Sequence, residues 1–434
     1  MNDEIKVPYI SKEELSQGES IFNRTVSELG EKQSIVAEED IYSETGIKLV
    51  SSGTKIKNKI WEKIVNHKLI KPITESVSIE NCLTINDIVS QAKSIIQNEL
   101  FFVRLARSID DPKYLLNKLK EINLPKPILN RLTVVRDARP RLYSHLLRTS
   151  IISAYFSFFH NLEPLKSDQL ICASITHDMG EMHTDPKILE PNHIVTAEER
   201  RFIHVHPATG YFMLQNFPDL KGECAVAVLQ HHERFDGSGY PSGLKGNEIS
   251  ILGQILSVAE VADALTWKFT SLKEIKVALN LNRKRFNTLF VDCLLQCVME
   301  KEDNNKKNTK IKEKELKKRL SLISSVYDST IKVSSYSENK EPLKGLNNRL
   351  KMFRYFLVEF GFDPNDHELL YEMNKDEPES IEAITLMVRE FLWQNRDLLL
   401  FIESNKNHIE ENLDEDGKKA ISKLRTDLQK NLAT

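Results

Sequence analysis

The spacing of apolar positions changes character several times along the chain, and each change predicts an element. Residues 1–34 are polar with little periodicity, which predicts a loosely held leader. Short β-prone runs follow at 35–37, 41–42 and 47–50. Gly46 and Ser51-Ser52-Gly53 punctuate them, and together they predict a small β hairpin. Ile56, Ile60, Ile64 and Val65 then fall at helical spacing over 55–68. Residues 84–139 read as several helices broken at Asp111-Pro112 and at Pro125 and Pro127.

Between 140 and 300 almost everything reads as helix. Ser167 is placed to cap a helix through the apolar run 169–176, which delivers His177-Asp178 at its C-terminal end. Thr196 with Glu199 predicts a capping box opening a helix that carries His204 and His206 on to Leu214. Ser271 with Glu274 predicts another capping box. The tract Lys301–Arg319 holds nine Lys/Arg against four acids without an apolar stripe, the texture of a solvated linker. Helical periodicity returns over 346–361 and 380–402, with a break at Gly361-Phe362-Asp363-Pro364. The chain thus divides into a leader (1–34), an N-terminal module of hairpin and helices (35–139), a central helical domain (140–300), a charged linker (301–320) and a C-terminal helical region (321–434). The expected fold class is mainly α: a helical bundle holding a metal site, with a small β-containing module before it and helices after it.

At 434 residues the chain exceeds what one core usually holds. Its 40% apolar content, 28% charged content and formal net charge of −3 give no reason to expect a nucleic-acid polymer or an anionic membrane as partner. The acidic start, Met1-Asn2-Asp3-Glu4, has no apolar h-region, so no signal peptide is evident. The longest apolar stretch, Ile151 to Phe159, is too short for membrane insertion. Five cysteines (Cys82, Cys172, Cys224, Cys293, Cys297) form no CxxC pair, which suits a reducing, cytoplasmic compartment. Cys293 and Cys297 share a helix face as buried thiols.

The chemistry is concentrated in the histidines. Nine of the twelve lie between 145 and 232, including the pairs His177-Asp178 and His231-His232. Imidazole with carboxylate suits iron, manganese, nickel or zinc. The order His145, His177-Asp178, His206-Pro207, His231-His232 and Glu260 places ligands on successive helical segments, each contributing inward groups to a bundle. In an adjacent His-Asp pair the carboxylate can bridge two cations while the imidazole binds one. Two cations so held can clamp a phosphodiester for in-line attack.

Residues 141–266 resemble an HD-GYP domain, the subgroup of the HD phosphohydrolase superfamily that hydrolyses cyclic di-GMP. The resemblance rests on His145, His177-Asp178-Met179-Gly180, His206-Pro207 with Gly210, and the string His231-His232-Glu233-Arg234-Phe235-Asp236-Gly237-Ser238-Gly239-Tyr240-Pro241. It continues through Gly246, Glu248-Ile249 and 255–259 to Asp263-Ala264-Leu265-Thr266. Residues 36–74 are similar to the small module often found ahead of such domains.

The resemblance implies two divalent metal ions, iron or manganese foremost, with nickel or zinc as alternatives. One would be held by His145, His177, Asp178 and Glu260. The other would be bound by His206, His231 and His232, with Asp178 bridging. His177 and Asp178 would form the catalytic core, and Gly237, Ser238, Gly239, Tyr240 and Pro241 the loop beside the substrate. The implied activity is hydrolysis of a cyclic dinucleotide, cyclic di-GMP foremost, by a metal-activated hydroxide. The alternative is a degenerate module that binds a dinucleotide or a protein partner without turnover. A homodimer or a signalling-protein partner is compatible with either.

Three positions depart from the family pattern. Its last ligand is Asp, where this chain has Glu260. Its HDxGK lysine, which contacts substrate phosphate, is Glu181. The Arg-Pro-Tyr segment after DALT is replaced by Trp267-Lys268-Phe269. Arg148, Lys187, Arg200 and Arg201 are candidate replacements for the lost cations. A third-metal Glu found in some members is Arg141 here, which favours two metals.

Overall fold

The structure, a computed structural model, describes residues 7–432 apart from 8–9, 11, 65–66, 112, 190–196, 270, 299–312, 339, 360–361, 374 and 376–377. The described chain forms two compact units. The first comprises Met1–Thr270 with Arg285–Val298, and the second Ser271–Lys284 with Met299–Thr434. None of the described helices is long and apolar enough to cross a membrane.

The first unit opens with α1 (Lys12–Leu29), where the polar sequence predicted a loose leader. Phe22, Val26 and Leu29 form a narrow stripe at spacings of four and three and are buried, enough to seat a helix whose other faces are polar. The β-prone runs make two small sheets. The hairpin pairs β2 (Ile41–Tyr42) with β3 (Lys48–Val50), whereas β1 (Ile35–Ala37) pairs antiparallel with β4 (Val77–Ile79), some forty residues on. Gly46 turns the hairpin at φ +80°, a conformation glycine adopts without cost.

Helices α2 (Asn58–Ile64), α3 (Ile85–Asn98), α4 (Leu100–Arg107), α5 (Tyr114–Glu121) and α6 (Lys126–Ala138) lead to the central bundle. Its elements are α7 (Pro140–Phe159), α8 (Pro164–Thr176), α9 (Ala197–His204), α10 (His206–Leu214), α11 (Glu223–Gln230) and α12 (Ile251–Lys268). Helix α7 is buried almost all round, packing against both α8 and α12. Prolines set two boundaries differently from the sequence expectation. Pro164 opens α8 a turn early, so Ser167 sits inside the helix with its hydroxyl buried and unpartnered instead of capping. Pro207 lacks an N–H and opens α10, so His204 and His206 lie on two helices parted at Val205, not on one. Thr196, Gly361 and much of Lys301–Arg319 lie outside the described residues.

The second unit begins with α13 (Leu272–Asn282), whose Ser271/Glu274 capping box forms as predicted. Helix α14 (Thr288–Val298) returns to the first unit and carries the buried thiols of Cys293 and Cys297. Then come α15 (Glu313–Ser337), α16 (Lys344–Glu359), α17 (Leu369–Glu372), α18 (Pro378–Ser404), α19 (Lys406–Glu411) and α20 (Glu415–Leu432). Their core gathers Leu320, Ile323 and Val333 of α15 with Phe353, Phe391, Ile421 and Leu424. Within it, Ser329 donates to Asp427 Oδ2 at 2.6 Å.

Candidate metal centre

Three histidines are oriented by the backbone of their own segments. The Nδ1 of His177 lies 2.7 Å from the carbonyl of Ser174, that of His206 lies 2.6 Å from Ile203, and that of His231 lies 2.6 Å from Val228. Each carbonyl is three residues back, where the last exposed C=O groups of a helical turn lack intrahelical partners. A carbonyl only accepts, so each Nδ1 carries the proton and each Nε2 presents a lone pair inward.

These Nε2 atoms converge. His206 Nε2 lies 3.2 Å from His231 Nε2 and 3.1 Å from His232 Nε2, and His177 Nε2 lies 3.2 Å from His145 Nε2. Two acceptor lone pairs at such distances repel unless a cation or a proton lies between them. At His206 the bond to Asp178 overrides burial and raises the pKa, but at His231 and His232 burial works against the proton. It drives His231 down to about 3 and, with His231 and His206 adjacent, holds His232 well below the ordinary imidazole range. The donor set therefore fits a divalent cation.

Asp178 divides its carboxylate between two groups of rings. Its Oδ1 is 3.1 Å from His206 Nε2 and 3.2 Å from His231 Nε2. Its Oδ2 is 3.3 Å from His177 Nε2 and 3.6 Å from His145 Nε2. Burial alone would raise its pKa, but His177, His206 and His231 reverse that and hold it well below the usual carboxylate range. Two clusters with metal-ligating spacing result: Asp178, His206, His231 and His232, and His145, His177 and Asp178.

His145 is oriented from another helix. Its Nδ1 meets Asp263 Oδ2 at 2.7 Å, and Asp263, fully buried, also accepts from Arg148 Nε at 2.5 Å and Trp267 Nε1 at 3.1 Å. Burial lowers the His145 pKa, but the Asp263 carboxylate outweighs it and lifts the group to about 9. Arg148 also reaches Glu99 and Thr266, so it is committed to the bundle and does not replace a phosphate-facing cation.

Glu260 stands outside both clusters. Its Oε2 lies 3.6 Å from His232 Nδ1 and 3.7 Å from Arg234 Nη2, without a hydrogen bond. Glu181 is ion-paired with Arg139 at 3.2 Å, while Arg139 Nη1 donates to its carbonyl. Burial and the charge of Asp178 raise the Glu181 pKa. Lys187 is exposed, and the side chains of Arg200 and Arg201 lie outside the described ones, as does His193.

The loop Gly237–Pro241 is held by groups the sequence did not single out. Buried Glu233 accepts from the N–H groups of Ser242 at 2.7 Å and Leu244 at 2.9 Å, and Asp236 accepts from Ser238 N–H at 2.9 Å. Gly239 runs so close to the preceding chain that a Cβ there would lie 2.5 Å from His232 O. Tyr240 stacks between His204, at 4.1 Å between ring centroids, and His232, at 4.6 Å. His204 thus belongs to the wall of the centre. His183 does not: its ring stacks on Phe22 of α1 at 5.5 Å, and its Nε2 is 3.3 Å from Arg131 Nη1. The signal for His204 was its place two residues before His206. Nothing in the sequence pointed to Phe22 as the partner of His183.

Residues 129–285 match the HD domain family. Curated relatives include a cyclic di-GMP phosphodiesterase of Thermotoga maritima, 42% identical over 21% of this chain and 26% of its own length. A cyclic di-GMP phosphodiesterase of Pseudomonas aeruginosa is 28% identical over 41% of this chain and 44% of its own. A 3'3'-cGAMP-specific phosphodiesterase of Vibrio cholerae is 30% identical over 28% of this chain and 24% of its own. The chain thus spans less than half the length of each of these relatives. The segment that matches the HD domain family, residues 129–285, is also the one that carries the histidine and aspartate clusters.

Proposed function

We propose that the centre is a two-metal phosphodiesterase site acting on a cyclic dinucleotide, cyclic di-GMP foremost. The observation that carries this reading is the division of Asp178, one oxygen toward His206 and His231 and the other toward His177 and His145. His145 and His177 would hold one cation and His206, His231 and His232 the other, with Asp178 shared between the two groups of rings. Glu260, which the family pattern puts on the first cation, has its Oε2 3.6 Å from His232 Nδ1, without a hydrogen bond. Divalent cations so placed supply Lewis acidity to the non-bridging oxygens of a phosphodiester.

The chain's own groups do the remaining work. Carbonyl bonds at Nδ1 fix the tautomers of three rings, so the lone pairs are set before a cation arrives. Glu233 and Asp236 hold the Gly237–Pro241 loop against Tyr240 and His232, where its small residues let a ligand approach the backbone.

The test is hydrolysis of cyclic di-GMP and of cyclic GMP-AMP by protein loaded separately with Fe(II), Mn(II) and Ni(II), products resolved by chromatography, with Asp178→Ala as control. Turnover lost in that variant supports the reading; absence of turnover in fully loaded protein refutes it. One observation favours a second reading, binding without turnover. Where relatives present a lysine to phosphate, Glu181 presents a carboxylate already paired with Arg139. Calorimetric binding with the ligand recovered intact would establish that reading.

A further inference from the structure

Trp267 lies in the last turn of α12 and is 46% exposed, yet its ring is not free to wander. Its Nε1 donates to Asp263 Oδ2 at 3.1 Å. Behind it, Arg148 Cζ packs 4.9 Å from the indole centroid and 4.7 Å from the ring of Phe102. Arg148 is itself buried and bound to Asp263, Glu99 and Thr266. An indole held by one hydrogen bond and backed by an immobile guanidinium is a fixed aromatic surface turned to solvent.

A second cation stands beside that surface. Arg141, exposed near the start of α7, places Cζ 5.3 Å from the same centroid. It makes no hydrogen bond or ion pair among the described residues, so nothing but the ring holds it there. The pair is also next to the reacting centre. Trp267 bonds Asp263, Asp263 bonds His145, and His145 Nε2 lies 3.6 Å from Asp178 Oδ2.

We propose that Trp267 and Arg141 form a platform on which a purine base of the cyclic dinucleotide stacks while its phosphodiester lies at the centre. This inference rests on the reading of the centre as a cyclic dinucleotide site. Every base offers a π-face, and a fixed aromatic ring backed by arginine is the arrangement by which proteins capture unpaired bases. A base is one sugar away from its phosphate, which matches the adjacency of the indole to the ligand shell. Arg141 yields the ring face to the incoming base and covers it from outside.

The test uses the full chain with Trp61→Phe and Trp393→Phe, leaving Trp267 as its sole indole. GMP is expected to quench its fluorescence saturably, and ribose 5-phosphate, which lacks a base, is not. Trp267→Ala in the otherwise natural chain is expected to raise KM for cyclic di-GMP about ten-fold. Trp267→Phe keeps a stacking face but loses the bond to Asp263, and is expected to stay within about three-fold. If GMP leaves the indole unquenched while cyclic di-GMP is hydrolysed, the platform is refuted and the phosphodiesterase stands. If Trp267→Phe loses as much as Trp267→Ala, the residue only positions Asp263 and the platform is again refuted. Failure of hydrolysis in metal-loaded protein refutes the phosphodiesterase, and GMP quenching then still decides the platform.

Discussion

Gly180 follows Asp178 by two residues, and the histidine and aspartate cluster closes only because that position has no side chain. A methyl group built there falls onto the carbonyl oxygen of His206, far inside 3.0 Å, and lies 2.9 Å from its carbonyl carbon and 3.1 Å from Gly210 N. All three are backbone atoms, so no rotamer change relieves the clash. The backbone at Gly180 is not in the left-handed region, so the effect of Gly180→Ala is steric and not conformational. The start of α10 must move by roughly 1 Å, and it carries His206, whose Nε2 sits 3.1 Å from Asp178 Oδ1. Overpacking against backbone costs about 3 kcal/mol, the upper end of its usual range. A displacement of about 1 Å at the site costs roughly 100-fold in turnover. Gly210→Ala is the internal comparison. Its methyl meets Val228 Cγ1 at 2.9 Å, the tip of a side chain that can rotate, and an alanine inside a helix recovers about 1 kcal/mol. Urea unfolding and metal analysis of the two variants test this. Wild-type stability and metal content in Gly180→Ala would refute the account of how the ligands are brought together.

Asp263→Asn should weaken metal binding about 10- to 100-fold, because His145 loses the carboxylate that orients it, and metal titration reads this directly. The same change leaves buried Arg148 short of a partner and should cost about 3 kcal/mol in urea unfolding. His183, held down to about 4 by burial, binds its proton less readily in the folded than in the unfolded chain. Its contribution is therefore complete above about pH 6.5 and is lost as pH falls toward 4. By pH 5 the loss is about 2 kcal/mol, and it should be missing from the pH 7 to pH 5 comparison in His183→Gln. Adding Mn(II) to chelator-treated protein at about 100 times its Kd should stabilise the chain by roughly 2.7 kcal/mol, seen as a rise in Tm. An unchanged Tm would count against a metal centre.

The convergence of the histidines and the aspartate was legible because a string of metal-ligating residue types recurs in a fixed order along the chain. His145, His177, Asp178, His206, His231 and His232 meet as that order implied. The helical class was legible for the same reason periodicity usually is: one apolar face must be buried. What the sequence hid were partnerships made by distance. The β1–β4 pairing joins residues that no local signal relates. Phe22 and Val26 gave too sparse a stripe to announce α1. Prolines in the first turn of two helices, Pro164 and Pro207, set boundaries that the capping residues and periodicity had placed elsewhere. Glu260 falls outside the two clusters, with its Oε2 3.6 Å from His232 Nδ1, a matter of side-chain reach that sequence does not encode.

The carbonyl-held histidines make the two halves of the centre unequal. His177, His206 and His231 each carry their orienting partner within the same turn of chain, so those rings stay aimed as long as that turn persists. His145 borrows its partner from α12, 118 residues away, and so inherits every strain placed on Asp263, Arg148 or Trp267. His145 is accordingly an adjustable ring, and the three carbonyl-held rings are hard-wired. Drift in α12 reaches His145 through Asp263, a route that the rings of His177, His206 and His231 do not share.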